Sequence, residues 1–346
     1  MLKRPLYQKH VPVTMRDVAE LAGVSQSTVS RVLSQSAVMV PISPETYKKV
    51  QDAVQQLGYH PNLLARSLRT QKNAMIAVMI ADISNAFYHF IARAIQDIAT
   101  QHSCDVLIAN TDHLYQYEKR FCEAIMRRPV DGVIMVPYHL SNAEIGHLIE
   151  RTGVHVAVLG QQIDLPTVDV VWADDGQATF DATNWLISGK SYRRLAFIGV
   201  TAAYESGQRR LAGFLRAVET AGLSVDPSFI QEGDFTVESG YRAMQTLLST
   251  PTPPDVVVAC NDLMAIGALN AAQDLNRRVP EEVAIIGFDN IPATTFVRPN
   301  LTTIAQFPAE IGRQLATALF ERIEGVETSV GRRFEIPLTL IERQST

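Results

Sequence analysis

The chain has 346 residues, more than the roughly 100 to 200 residues of a usual single domain, so one small domain is excluded and two or three cooperating units are expected. Hydrophobic residues make up 47% and charged residues 19% of the chain, which excludes a disordered protein and predicts a packed core. The net charge of −5 hides an asymmetry, because residues 1–70 carry nine Lys and Arg against four Asp and Glu. A basic head on an acidic body is typical of a protein that binds a polyanion, although an ordinary solvated surface would give the same charge.

The cysteines and the N-terminal residues indicate the cellular compartment in which the protein is expected. Cys104, Cys122 and Cys260 are odd in number and far apart in the sequence, which excludes a disulfide framework and a cysteine-rich zinc site. Lys3 and Arg4 are followed by Pro5, Gln8, Lys9 and His10 in place of an apolar stretch, and no apolar run of about 18 residues occurs. We therefore expect a cytoplasmic protein with no signal peptide and no membrane span.

Two short helices joined by a tight turn are predicted near the N-terminus. Thr14 is placed to cap the first helix with Asp17 as its capping-box partner, and Gly23 ends that helix. Ser25 is placed to cap the second helix. The buried faces of the two helices are predicted to be formed by Val18, Ala19, Leu21, Ala22, Thr28, Val29, Val32 and Leu33.

A third helix follows. Ser43 is its predicted N-cap, Pro44 its first residue, and Gly58 its stop. Three helices within 60 residues, the second of which presents polar side chains outward, predict a helix-turn-helix DNA-binding domain over residues 1–60. A small helical adaptor for another protein is the alternative.

The run DVAELAGVSQSTVSRVL at residues 17–33 and the run LGYHPNLLARSLRT at residues 57–70 resemble the head of the LacI/GalR family of bacterial transcription regulators. The resemblance continues through nearly the whole chain. One departure is the stretch SQSAVMVPISPET, between the second and third helices, which is slightly longer than is common in the family. The phosphate contacts that the family makes from this loop are therefore not carried over.

The resemblance implies roles for polar residues of the head. Amide and guanidinium groups at the start of the second helix pair with base edges in the major groove, and hydroxyl groups bind phosphates. The predicted base readers are Gln26, Ser27 and Arg31, and the predicted phosphate contacts are Thr14, Ser25 and Ser30. An inert polar surface is the alternative for Gln26 and Ser27.

Residues 61–73 are predicted to form a hinge helix and linker. A helix over residues 63–69 is too short to be stable alone in water, so it is expected to fold on docking. In the family this helix pairs with that of the dimer mate in the minor groove, which implies DNA contacts for Asn62, close approach at Ala65 and a leucine wedge at Leu68. An ordinary amphipathic linker is the alternative.

The body, residues 74–346, alternates short apolar runs with helical stretches, which predicts doubly wound parallel sheets of the α/β class. Two such units in sequence predict two lobes with a ligand at the carboxyl ends of the strands. The resemblance implies a body like a periplasmic binding protein. It places lobe one at about residues 74–189 and 307–327 and lobe two at about residues 190–306 and 328–346.

Polar and aromatic residues at strand ends are the candidate ligand contacts. A carboxylate can accept hydrogen bonds from sugar hydroxyls, a guanidinium can donate several, and flat rings can stack on sugar faces. The predicted effector contacts are Phe87, Tyr88, Asp175, Arg210, Phe235, Asn261 and Asp289, with Trp172 a further aromatic candidate. Asn290 stands where some relatives have a second aspartate. Core packing or helix capping is the alternative for Asp175, Phe235 and Trp172, and capping alone is the alternative for Asp262.

These features predict a homodimeric transcription factor, a repressor of carbohydrate uptake or catabolism genes, that binds operator DNA and a sugar-like effector. We expect no enzyme activity, cofactor or metal, because the chain lacks the usual nucleotide, metalloprotease and hydrolase motifs and its histidines do not cluster. An enzyme acting on a sugar would fit the same α/β body. A periplasmic sugar-binding protein would share the lobes but needs a signal peptide and no basic head.

Overall fold

The computed structural model describes residues 13–33, 42–59 and 73–346. The chain divides into two compact units, Met1–Asn73 and Ala74–Thr346, each considered by itself below. Within the described residues, no helix combines the length and the apolar character that crossing a membrane requires.

The first unit begins with helices α1 (Met15–Ala22) and α2 (Gln26–Leu33). The predicted caps are confirmed: the Asp17 carboxylate accepts from the Thr14 backbone N–H at 2.7 Å, and the Ser25 hydroxyl accepts from the Thr28 N–H at 3.1 Å. Gly23 ends α1 in the left-handed conformation at φ 65°, which suits a residue without a Cβ. These local signals fix a tight turn between the two helices.

Helix α3 (Pro44–Leu57) completes the head, capped by Ser43 and ended by Gly58 as predicted. The buried core of the three helices is formed by Val18, Ala19, Ala22, Val29, Val32, Val50, Ala53 and Tyr59. The prediction that Leu21 is buried is wrong, because its side chain is 47% exposed. Helices α2 and α3 cover only the stripe of α1 that carries Val18, Ala19 and Ala22.

The second unit contains two six-stranded sheets. The first has the order β11-β5-β4-β3-β1-β2 and is parallel throughout. Its strands are β1 (Met75–Ile80), β2 (Asp105–Asn110), β3 (Gly132–Met135), β4 (His155–Leu159), β5 (Asp169–Trp172) and β11 (Arg333–Glu335). The buried strands are nearly continuous apolar runs, as expected for a sheet covered on both faces.

The second sheet has the order β12-β10-β9-β8-β6-β7, and only the β10 to β12 pair is antiparallel. Its strands are β6 (Leu195–Val200), β7 (Ile230–Gly233), β8 (Val256–Ala259), β9 (Ala284–Asp289), β10 (Thr302–Ala305) and β12 (Thr339–Ile341). In each sheet the direction of chain progression reverses beside the first strand: β2 and β3 lie on opposite sides of β1, and β7 and β8 lie on opposite sides of β6. Ligands of doubly wound folds bind beside such points.

Eight helices and two short 3-10 turns, Pro227–Phe229 and Pro292–Thr295, connect the described strands. The helices are α4 (Ala86–Gln101), α5 (Tyr115–Arg127), α6 (Asn142–Thr152), α7 (Asp175–Ser188), α8 (Glu205–Thr220), α9 (Val237–Leu248), α10 (Asp262–Asp274) and α11 (Pro308–Ile323). We call the first sheet and the helices packed on it lobe one, and the second sheet and its helices lobe two. The α/β class and the parallel sheets agree with the sequence prediction.

The chain crosses between the lobes three times, and two of the crossings differ from the predicted ones. Helix α7, expected in lobe one, packs on α8 and the second sheet. The two helices approach so closely that a Cβ on Gly213 would lie 2.1 Å from the carbonyl oxygen of Gly176, so glycine is required there. Strand β11, expected in lobe two, pairs with β5 in lobe one. Helix α11 packs on α4 and the first sheet, so the chain crosses near residues 173–174, 306–307 and 336–338.

Candidate functional site

The described DNA-binding candidates of the head lie on α2 and at the starts of α1 and α2. Gln26 and Ser27 are exposed in the first turn of α2, and Ser30 and Arg31 are partly exposed on the same helix. Thr14 and Ser25 are exposed at the starts of α1 and α2. The predicted hinge contacts Asn62, Ala65 and Leu68 lie outside the described residues.

A pocket lies between the two lobes at the carboxyl ends of strands from both sheets. It contains about 860 Å³ of space between protein atoms, part of it open to solvent. The structure brings all seven predicted effector contacts together on its walls: Phe87, Tyr88, Asp175, Arg210, Phe235, Asn261 and Asp289. Trp172 lines the same pocket. Residues far apart in the sequence thus form one site.

Arg210, on α8, is the buried cation of the pocket, with 6% of its surface exposed. Its Nη1 donates to the carbonyl oxygen of Cys260 at 2.6 Å, and its guanidinium stacks on the Phe288 ring at 3.7 Å. Burial lowers the pKa of Arg210, but Cys260, Asp175 and Asp289 raise it by more, so the net direction is upward and the side chain stays charged. Its Nε is buried, makes no hydrogen bond and faces the Asp175 carboxylate.

Asp175 is the first residue of α7 and carries the counter-charge. Arg209 donates to its two carboxylate oxygens at 2.7 and 3.1 Å, and the Nε of Arg210 lies 3.4 Å away. The carboxylate is therefore held between two neighbouring guanidinium groups. Charge-assisted pairs of this kind fix geometry as well as charge, so this wall is preorganised.

Asp289 ends β9 and accepts a hydrogen bond from the Nε2 of Gln306 at 2.6 Å. Burial raises its pKa to about 6, although Arg210 and Gln306 oppose the shift. Behind it, Asp262 accepts from the Thr303 hydroxyl at 2.6 Å and from the Ile291 N–H at 2.9 Å. Burial and the Asp289 charge together raise the pKa of Asp262 well above its ordinary value. Asp262 therefore ties β9 and β10 together and does more than begin a helix.

Asn261 supports a neighbouring wall of the pocket. Its Oδ1 accepts from the Met264 N–H at 2.9 Å and caps α10, and its Nδ2 donates to the carbonyl oxygen of Phe235 at 3.0 Å. Phe235 has a φ of 67°, a backbone conformation that residues other than glycine rarely adopt. Asn261 thus holds a strained turn that directs an aromatic ring into the pocket.

The aromatic wall includes residues that the sequence did not single out. The hydroxyl groups of Tyr88 and Tyr138 are 2.8 Å apart. His113 stacks on Phe235 with ring centroids 5.2 Å apart, and the Tyr204 ring lies 5.5 Å from Phe235. Burial is the main cause that lowers the pKa of His113, so this ring is neutral near pH 7. Aromatic rings of lobe one and lobe two thus meet across the cleft.

Arg209, Gln306, His113 and Tyr138 are among the pocket residues that the sequence reasoning missed. One signal could have found two of them: Tyr138 closely follows β3 and His113 closely follows β2. Polar or aromatic residues just after parallel strands gather at one edge of a sheet. No comparable signal marks Gln306, whose role depends on the crossing near residues 306–307.

Comparison with known proteins identifies the family. Residues 14–62 match the model of "Bacterial regulatory proteins, lacI family", and residues 186–346 match a "Periplasmic binding protein-like domain". The HTH-type transcriptional repressor CytR of Escherichia coli (strain K12) is 36% identical over 345 residues, which cover 98% of each chain. This chain belongs to the LacI family. Catabolite control protein A of Priestia megaterium is 34% identical over 96% of this chain and 99% of its own.

Solved structures of LacI-family proteins have the same fold. The Lac repressor bound to ONPG in a repressed state superposes with a TM-score of 0.84 at 26% identity, over 97% of this chain and 100% of the other. A CelR–cellobiose complex has a TM-score of 0.71 at 29% identity, over 96% and 100% of the two chains. A LacI-family regulator from Enterococcus faecium with bound ribose has a TM-score of 0.72 at 26% identity, over 79% and 98%. This LacI-family chain is a DNA-binding transcription regulator.

The buried carboxyl of Asp289 should make stability depend on pH. Its pKa is about 6 in the folded protein against an ordinary value of 3.8, so the native state binds a proton between these values and the unfolded state does not. Stability should therefore rise as the pH falls through about 6. We expect the free energy of urea unfolding of the wild type to rise by about 1 to 1.5 kcal/mol relative to Asp289→Asn between about pH 7.5 and pH 5.

The matched control is Asp181→Asn, because Asp181 is an exposed carboxylate on α7. Its difference from the wild type should be small at both ends of the pH range. The raised pKa of Asp289 is contradicted if the free energies of unfolding of the wild type and Asp289→Asn differ by the same amount at about pH 7.5 and at about pH 5.

Proposed function

We propose that this LacI-family regulator is a homodimeric repressor of carbohydrate uptake or catabolism genes, released from or locked onto its operator by a sugar-like effector in the pocket between the lobes. The observation that carries the proposal is the convergence of Arg210, Asp175 and Asp289 on one pocket that both lobes line. The basic helix-turn-helix head supplies the operator contacts. Gln26, Ser27 and Arg31 read bases, and Thr14, Ser25 and Ser30 bind phosphates.

The chemistry of the pocket suits a polyhydroxylated ligand. The Asp289 carboxylate has one oxygen bonded to Gln306, which leaves further lone pairs to accept from ligand hydroxyls. The Arg210 guanidinium at the pocket wall donates to a ligand oxygen, and Phe87, Phe235 and Trp172 provide flat apolar surface. Cellobiose and ribose are the ligands named for two structural neighbours, which supports a sugar as the effector class.

Coupling between effector and operator requires that the effector distinguish two arrangements of the lobes. The pocket residues come from both lobes, so a ligand that fits one arrangement better shifts the population toward it. Asp289 in lobe two bonds Gln306, which lies at the crossing into lobe one. An effector that binds Asp289 therefore acts on a segment that joins the lobes. Coupling free energies between two binding sites are commonly about 1 to 3 kcal/mol.

A second copy of the chain is needed for selective DNA binding, since one short head makes too few contacts to select a site among genomic competitors. Exposed apolar side chains are present on lobe one. Leu107 and Ile108 on the edge strand β2 and Phe90 on α4 are each 40% exposed. Exposed apolar side chains near a sheet edge favour self-association.

Arg31→Ala should weaken operator binding and broaden its sequence preference. A guanidinium that pairs with a base edge contributes about 1 to 3 kcal/mol of discrimination, and its loss should relax one base pair of the site. The measurement is selection of binding sites from a random pool, followed by fluorescence anisotropy at fixed salt. Lys49→Ala on α3 is the control, because Lys49 pairs with Glu45 on the same helix and the sequence preference should survive. An unchanged preference in Arg31→Ala would contradict the assignment.

Asp289→Ala should abolish the effector response and leave operator affinity without effector nearly unchanged. The carboxylate is proposed to bind the effector, and it lies in the unit separate from the head. A thermal-shift screen of sugars first identifies the effector, and anisotropy then measures operator binding with and without it. Asp181→Ala, at an exposed carboxylate of α7, should respond like wild type. A wild-type response in Asp289→Ala would place the ligand elsewhere, and loss of operator binding would indicate a structural role for Asp289.

A further inference from the structure

Glu118, in the first turn of α5, is a fully buried carboxylate that lies outside the set of pocket residues. Its Oε1 accepts from the Tyr138 N–H at 2.8 Å, and its Oε2 accepts from the His139 and Leu140 N–H groups, each at 3.0 Å. Three consecutive backbone amides thus converge on one side chain. Buried amides grouped in this way form a site for an anion, which Glu118 provides from within the chain.

The segment that Glu118 holds, residues 136–140, connects β3 to α6. Both of its ends are fixed independently: the Val136 N–H donates to the carbonyl oxygen of Met79 at 2.9 Å, and Ser141 caps α6 in a capping box with Glu144. For the amides of residues 138–140, the described part of the chain offers no acceptor other than Glu118. The conformation of the middle of the segment therefore depends on this carboxylate.

Two side chains of the segment contact residues that line the pocket. The Tyr138 hydroxyl lies 2.8 Å from that of Tyr88, so the segment places both tyrosines. The Nε2 of His139 lies 2.9 Å from the carbonyl oxygen of His113, whose ring stacks on Phe235. The contacts of one buried carboxylate therefore extend through two loops of lobe one to an aromatic ring of lobe two.

We propose that Glu118 is a positioning residue for effector binding, which sets the lobe-one wall of the pocket by holding the amides of residues 138–140. The inference rests on the proposed function, since it concerns the same pocket. Glu118 does not line the pocket itself. It acts through Tyr138 and, by way of His139, through His113.

The test compares Glu118→Gln with the wild type in the full-length protein. Glutamine has the same shape but presents an N–H₂ group to at least one of the three amides, which leaves a buried donor without an acceptor. We expect hydrogen exchange, measured by mass spectrometry, to rise in residues 136–141 and also in residues 111–114, which carry His113. We expect binding of whichever of cellobiose, ribose and ONPG the wild type binds to weaken by about tenfold or more, with operator affinity unchanged in the absence of sugar.

The matched control is Asp169→Asn. Asp169 is a second fully buried carboxylate of lobe one, but it is held by Arg322 and Arg332 and does not line the pocket. Its loss should lower the melting temperature and leave exchange in residues 111–114 and sugar binding as in the wild type. A purely structural role for Glu118 would make the two variants behave alike, which would overturn the proposal.

Glu118→Asp, which keeps the charge on a shorter side chain, should recover part of the protection and of the sugar affinity, and it replaces Glu118→Gln if that variant does not fold. Unchanged exchange in residues 111–114 in the folded variant would overturn the proposal. If the wild type binds none of the three sugars, the proposed effector class is contradicted, and the exchange measurement still decides the role of Glu118.

Discussion

The buried guanidinium of Arg210 is the constraint on which the arrangement of the pocket depends. A charge taken out of water is costly unless it is paired and hydrogen-bonded. Asp175, Asp289 and the carbonyl oxygen of Cys260 surround Arg210 from three different elements of lobe two. Two of these partners lie beside crossings between the lobes, since Asp175 follows the crossing near residues 173–174 and Asp289 bonds Gln306. The charge balance of the pocket is therefore tied to the segments that join the lobes.

Backbone strain is also present at the same place. Asp289, Asn290 and Phe307 have φ values of 116°, 59° and 53°, which non-glycine residues rarely adopt. We call residues 289–290 and 306–307 the corner. The corner is held by the Gln306 to Asp289 hydrogen bond and by Arg343, whose Nη2 donates to the Oδ1 of Asn290 at 2.6 Å. Strain of this kind persists only where the surrounding contacts determine it, and it is common at ligand clamps. A ligand that competes for Asp289 would act directly on this corner.

Much of the fold could be predicted from the sequence because its signals are local. Thr14, Ser25 and Ser43 are caps followed by short apolar patterns, and the structure forms helices at each. The alternation of apolar runs and helices likewise predicts parallel sheets. Two signals together predict the candidate pocket residues: their positions at the ends of strands and the resemblance to the LacI/GalR family.

The remaining features depend on tertiary contacts that no local pattern records. The lobe that α7 joins is decided by the close approach of Gly176 and Gly213, not by the pattern of α7 itself. Asn290 follows Asp289 in sequence, yet its side chain oxygen accepts from Arg343 and does not line the pocket. Glu118 lies on a helix in a charged stretch that is typical of a solvated face, and only the folded loop shows that it is buried.

We propose that one equilibrium links the pocket between the lobes to the operator. Calorimetric titration of the effector into the dimer, with and without a saturating operator duplex at fixed salt, tests this link. Linkage requires that the operator change effector affinity by the same factor by which the effector changes operator affinity. We expect equal factors, of about 5- to 150-fold. An effector affinity that is the same in the presence and absence of operator would contradict the link.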